Sequence, residues 1–217
     1  MALPLSIRQL HLSESRETGA AALPPRIALI GFMGSGKTTT GRALAERLGY
    51  QFVDTDDLIL QATSARNIPE LFTTEGEARF RDCETTAVRD ACATEHAVIA
   101  TGGGVPLRSE NIDVLRDSTF VVWLTVRPEV VVGRTQEDAA SRPLLAAAAV
   151  ATAAGDPGAL HAHVLSLIAE RGPRYQAGAH CIVDASDRSP QQIAADIQRK
   201  AERWLENQSL TESAESR

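Results

Sequence analysis

Basic residues are in the minority in this chain: 22 Lys and Arg stand against 28 Asp and Glu, a formal net charge of −6. That balance argues against a broad surface field for nucleic acid or an anionic membrane, so a phosphate ligand has to be met by local basic groups. Aromatic residues are scarce at 4%, against 43% apolar residues overall. The core must therefore be built from Ala, Val, Leu and Ile. Cysteine is also scarce. Cys83, Cys92 and Cys181 have no C-x-x-C spacing, which argues against a metal or redox role and for a reduced, cytoplasmic protein with buried thiols. No apolar run approaches the roughly 18 residues of a membrane span. Residues 1–25 lack the continuous apolar segment of a secretory signal. With Pro4, Gly19, Pro24 and Pro25 among scattered polar residues they read as a flexible tail, and Glu14 and Glu17 count against an organelle transit peptide. At 217 residues with no internal repeat, one domain is expected.

What the chain does have is Gly31-Phe32-Met33-Gly34-Ser35-Gly36-Lys37-Thr38, which fits the P-loop pattern G-x-x-x-x-G-K-[ST]. The apolar run Ile27 to Ile30 before it reads as a buried strand. After it, Arg42 to Leu48 reads as a helix with Leu44 and Leu48 on one face and Gly49 as its stop. The loop's glycines free its N–H groups to turn around phosphate oxygens at a helix N-terminus. Lys37 adds charge for the outer phosphates, and the Thr38 hydroxyl is placed to ligate Mg²⁺. A glycine-rich turn with a chance Lys-Thr is the competing reading, and the flanking strand and helix disfavour it. Nucleotide binding is expected, with Gly34, Ser35, Gly36, Lys37, Thr38 and Thr39 as the cradle.

The rest of the chain alternates strand and helix. Gln51 to Val53 reads as a strand running into Asp54-Thr55-Asp56-Asp57. Continued as a strand, it puts Asp54 and Asp56 on one side. One of the two can assist Mg²⁺; the other can hold or deprotonate a substrate hydroxyl. Alternatively Asp56 or Asp57 caps the next helix, the reading favoured for Asp57. Helices are expected over 68–72 and 75–92, the second with Phe80, Cys83, Ala87 and Ala91 inward. Arg81 and Glu84, three apart, can meet as an exposed ion pair. Strands are expected over 97–100, 120–126 and 181–184, and helices over 109–116, 128–134, 160–171 and 190–205. Gly102-Gly103-Gly104 at a strand end allows close approach of a ligand, or makes a tight turn. Residues 137–150 read as a mobile lid in which Arg142 reaches phosphate oxygens, or is a solvated linker arginine. Residues 207–217 read as a frayed tail. The expected fold is a single α/β domain over 26–206, a parallel five-stranded sheet flanked by helices.

Together these pieces resemble the shikimate kinase family of P-loop enzymes over about residues 26–205. The resemblance rests on the P-loop, Asp54-Thr55-Asp56, Phe80-Arg81, Gly102-Gly103-Gly104, Arg142-Pro143-Leu144-Leu145 and Arg171-Gly172-Pro173-Arg174-Tyr175. The resemblance implies transfer of the ATP γ-phosphate to the 3-hydroxyl of shikimate, in aromatic amino-acid biosynthesis, by a cytoplasmic monomer. It implies that Asp56 binds ring hydroxyls and acts as base, that Arg81 and Arg171 hold the carboxylate, and that Gly103 contacts the ring through its main chain. Thr38 and Asp54 would serve Mg²⁺, Lys37 and Arg142 the transferring phosphate, and Arg134 and Arg188 the adenine. Arg174 and Gln176 depart from a leucine and an acid common in the family, and the lid is unusually rich in alanine. The nearest rival is a gluconate or nucleotide kinase of the same group; a binding module without turnover is the rival from another class. Retention of Lys37, Thr38, Asp56 and Arg142 argues against the second.

Overall fold

Strand β1 (Arg26–Ile30) is buried along its whole length. Ile27 and Leu29 enter one apolar cluster while Ala28 and Ile30 enter another on the opposite face. A strand covered on both faces belongs in the middle of a parallel sheet. The computed structural model describes residues 22–135, 139, 144–156 and 158–215, with side chains as far as residue 211. In it β1 lies between β3 (Ala97–Ala100) and β4 (Phe120–Thr125), in the order β2-β3-β1-β4-β5. Every pairing is parallel; Ile27 sits opposite Val98 on one side and Phe120 on the other. The outer strands β2 (Gln51–Asp54) and β5 (Cys181–Asp184) complete the expected five.

Helices cover both faces. Helix α1 (Lys37–Leu48) and the last helix, α8 (Pro190–Glu215), bring Leu44, Ile193 and Ile197 onto the Ile27 face. On the other face lie α3 (Ile68–Ala93), α4 (Ser109–Ser118) and α7 (Ala159–Gly178), contributing Val88, Leu115 and Tyr175. Helix α2 (Thr55–Ala62) packs on α3, and α5 (Pro128–Thr135) and α6 (Ala146–Ala153) pack on α7. The carboxyl ends of β1, β2 and β3 thus converge on one edge. In open α/β sheets the ligand crevice lies there.

Several local expectations are corrected. The two helices expected over 68–92 form one element bent at Gly76, whose φ of 83° no longer fits a helix. Strand β2 stops at Asp54 and α2 begins at Thr55, so Asp54 and Asp56 do not share one face of a strand. The helix cap is Asp54, not Asp56 or Asp57: its side chain accepts the Asp56 N–H at 3.1 Å. Helix α7 continues through Gly172-Pro173 to Gly178. A proline costs a helix one hydrogen bond, and burial of Arg171 and Tyr175 on either side of it holds this one in place. Helix α8 runs to Glu215 instead of ending near Leu205. Part of the segment expected as a lid is the helix α6, with Leu145 just before it fully buried. At the start, Leu23 packs against the core and the Pro24 carbonyl accepts the Tyr50 hydroxyl at 3.2 Å.

Candidate active site

Between β1 and α1 the P-loop is built as its glycines require. A Cβ on Gly31 (φ 148°) would lie 2.5 Å from the Leu124 carbonyl oxygen, and Gly36 (φ 86°) caps α1 in the left-handed region. Lys37 Nζ donates to the carbonyls of Gly31 and Phe32 at 2.8 and 2.9 Å. The ammonium is therefore held across the loop. Ser35 is fully buried and its Oγ has no hydrogen-bond partner, an orphan polar atom inside an anion cradle. Thr39 Oγ1 donates to the Gly36 carbonyl at 3.0 Å. Arg134, at the end of α5, crosses to the same loop: Nη1 donates to Gly34 O at 3.0 Å and Nη2 to Ala185 O at 3.4 Å. Arg188 instead turns into α8, donating to Asp196 at 3.1 Å and to the Gln192 carbonyl at 3.0 Å.

Thr38 Oγ1 donates to Asp54 Oδ2 at 3.0 Å. These are two hard oxygen donors beside a phosphate cradle, and Mg²⁺ takes one or two protein oxygens and completes its shell with phosphate and water. The donor set fits that ion. Among the described residues no cluster of three or more His, Cys, Asp or Glu side chains could hold a metal by itself.

Beside the loop opens a pocket of about 310 Å³, lined among others by Met33, Asp56, Arg81, Glu84, Gly103 and Arg171. Four elements supply them. Asp56 comes from the first turn of α2, Arg81 and Glu84 from α3, Arg171 from α7, and the glycines from the turn after β3. The ion pair of Arg81 and Glu84 exists, but it is buried instead of exposed; Glu77 Oε1 holds the other side of the guanidinium at 3.3 Å. Arg171 is 4% exposed, and its Nε has no hydrogen-bond partner. A buried guanidinium with an unmet N–H beside a pocket is costly unless an acceptor arrives.

The triple glycine has a steric reason. A Cβ on Gly102 would lie 2.9 Å from Asp56 Oδ1 and 3.0 Å from Glu84 Oε1, and one on Gly104 would overlap Arg81 Nη1. Gly103 approaches the P-loop backbone, and its carbonyl accepts the Tyr175 hydroxyl at 2.6 Å. The pattern matches the model of one known family, described as shikimate kinase, over residues 33–202. The chain belongs to the shikimate kinase family. The shikimate kinase of Symbiobacterium thermophilum is 44% identical over 176 residues, covering 80% of this chain and 94% of the relative. That of Moorella thermoacetica is 40% identical over 185 residues, covering 85% and 99%. A solved shikimate kinase from Acinetobacter baumannii, in complex with shikimate, superposes with a TM-score of 0.71 at 34% identity, covering 85% of this chain and 94% of that one.

Three features of this site escape a reading by motif. Glu84 looks like a surface partner for Arg81, yet it is 1% exposed and lines the pocket. Burial raises its pKa above the ordinary carboxylate value, with nearby Asp56 adding to the rise and Arg81 opposing it. Its i, i+3 spacing from Arg81 was the available signal. Burial likewise pushes Tyr175 up to about 12, so its hydroxyl stays a donor to Gly103. Thr55, fully buried, accepts the Gly102 N–H at 2.9 Å and ties α2 to the glycine turn. Arg142, expected over the phosphates, lies outside the described residues.

Proposed function

We propose that the pocket beside the P-loop takes shikimate and that the residues around it divide the transfer among themselves. The chain carries the activity of its family, ATP-dependent phosphorylation of shikimate with Mg²⁺ as the companion of ATP. Arg171 carries the assignment of the pocket. Arg171, whose buried Nε has no hydrogen-bond partner, lines the pocket together with Arg81, and two guanidinium groups suit a carboxylate in charge and in planar geometry. Gly103 then borders the ring through its main chain.

On this reading the acceptor's carboxylate is anchored by Arg81 and Arg171, which leaves a ring hydroxyl toward Asp56. Asp56 orients the 3-hydroxyl and takes its proton. The freed oxygen attacks the γ-phosphorus, a new O–P bond forms, and the bond to the β–γ bridging oxygen breaks to leave ADP. The N–H groups of Gly34 to Thr39 hold the phosphates, and Lys37 shifts from the loop carbonyls to the transferring group. Arg134, bridging Gly34 and Ala185, is assigned to the adenine side of the loop, and Arg188, which also donates to the Asp184 carbonyl at 3.4 Å, is assigned beside it. Mg²⁺ at Thr38 and Asp54 would neutralise charge on the outer phosphates.

The finer expectations belong to the same reading: a cytoplasmic monomer that engages neither nucleic acid nor membrane. The net charge of −6 supports it, as does the lack, among the described residues, of a helix long and apolar enough to cross a membrane. The test is ADP release on a panel of acceptors. Shikimate should drive turnover while gluconate and nucleoside monophosphates leave the basal ATPase rate unchanged. Turnover driven by gluconate would overturn the acceptor assignment.

A further inference from the structure

Leu144 lines the pocket together with Arg171, and a histidine from the same helix as Arg171 reaches its backbone. His163 Nε2 lies 2.7 Å from the Leu144 carbonyl oxygen. A carbonyl only accepts, so Nε2 carries the proton and the histidine donates. We propose that His163 is a positioning residue for the acceptor: its bond to Leu144 sets the span between Leu144 and Arg171. This rests on the reading of the pocket as the shikimate site.

The need for such a bond follows from the composition of α6. Its sequence is AAAAVATA; no residue in it is fully buried, and Val150 is 64% exposed. Small side chains offer little apolar area, so the packing of α6 on α7 leaves its register weakly defined. Among the described residues, two polar contacts tie it to α7. At the turn between the helices, Thr152 Oγ1 accepts the Leu160 N–H at 3.1 Å. At the other end, His163 takes Leu144. Between them Leu145 and Leu160 fill the cluster that also holds Val164 and Leu167. From His163 to Arg171 the helix rises about 12 Å at its standard pitch. One rigid element thus carries both the group that binds the acceptor and the donor that holds Leu144. Anchoring by a shared element is how a site keeps its geometry within fractions of an ångström.

The test compares His163→Ala, His163→Gln and Arg171→Ala with the parent. The readouts are shikimate Kd without nucleotide, ATP Kd without acceptor, the KM and kcat for shikimate, and Tm. Loss of one neutral hydrogen bond should weaken shikimate binding about three- to ten-fold in His163→Ala. The KM should rise with it, kcat should fall less, and ATP Kd should stay within about two-fold of the parent. Glutamine keeps an N–H donor at similar reach and should recover most of the loss. A His163→Ala protein with parental shikimate affinity, while Arg171→Ala has lost it, overturns the role of His163 and leaves the pocket assignment standing. Equal defects in His163→Ala and His163→Gln, or ATP and shikimate affinities that fall together with Tm, also overturn it. If Arg171→Ala itself binds shikimate normally, the pocket assignment falls and the role of His163 falls with it.

Discussion

Asp56 and Glu84 approach the same α-carbon: the position a methyl group would take on Gly102 is 2.9 Å from Asp56 Oδ1 and 3.0 Å from Glu84 Oε1. Burial raises the proton affinity of Glu84, and the nearby Asp56 carboxylate adds to the rise. Arg81, paired with Glu84, supplies the compensating charge. The glycine turn, Asp56, Glu84 and Arg81 are therefore one packed unit.

Gly102→Ala should show this directly. The colliding atoms are the ends of two side chains, which can rotate, so the chain should fold with a loss of about 1–3 kcal/mol. Turnover should fall much further, because the rotation moves Asp56, the proposed base. Gly104→Ala should differ by displacing Arg81, weakening shikimate binding while ATP binding holds. Calorimetry with each ligand and a turnover assay on both variants separate the two effects. Equal loss of ATP and shikimate affinity in either variant would refute the proposed division.

Glu84→Gln should change the pH dependence of stability in a defined direction. The folded-state pKa of Glu84 is raised, so between its unfolded and folded values the native state binds more protons than the unfolded state. Its contribution therefore becomes less favourable as pH rises through that window. The penalty is absent below the unfolded value and complete above the folded one. Glutamine resembles the protonated acid, so Tm of the variant relative to the parent should be more favourable at pH 7 than at pH 4. Shikimate affinity should fall in the same variant, since Arg81 loses its buried partner. A Tm difference independent of pH would contradict the assignment.

Arg81→Ala and Arg171→Ala should each weaken shikimate binding by about 1.5–3 kcal/mol, roughly ten-fold to over a hundred-fold, with ATP binding nearly unaltered. If both address one carboxylate, the double variant should lose less than the two single losses combined. Strict additivity would assign them to separate groups on the ligand.

Asp54 has two tasks that two substitutions can divide. Its Oδ1 caps α2 through the Asp56 N–H while Oδ2 accepts the Thr38 hydroxyl. Asn caps a helix about as well as Asp. Asp54→Asn should thus keep Tm near the parental value but require more Mg²⁺ for half-maximal rate. Asp54→Ala should lose the cap as well, at about 1 kcal/mol. Unchanged Mg²⁺ dependence in Asp54→Asn would remove Asp54 from the metal site.

How much of this was legible beforehand depends on the range of the forces involved. The strand Arg26–Ile30, the loop and α1 could be read from neighbouring residues, because a doubly covered strand needs an unbroken apolar run and a phosphate loop needs glycines at fixed offsets. The five parallel strands followed from the alternation of such runs with helical patterns, and the family from motifs scattered along the chain. Other features depend on contacts between residues distant in sequence. Pro173 reads locally as a stop, yet α7 passes through it, because buried Arg171 and Tyr175 dock the helix against the pocket and the sheet. Asp54-Thr55-Asp56 reads as a strand, yet Thr55 turns inward to meet Gly102 and starts a helix there. Glu84 reads as a solvated partner of Arg81, and only the glycine turn lying against α3 buries it. His163 carries no motif at all; its partner lies 19 residues away. Local propensity costs tenths of a kcal/mol per residue to override, and burial of a large side chain outweighs it several-fold. Tertiary packing therefore decided where the helices end and which charges face the pocket.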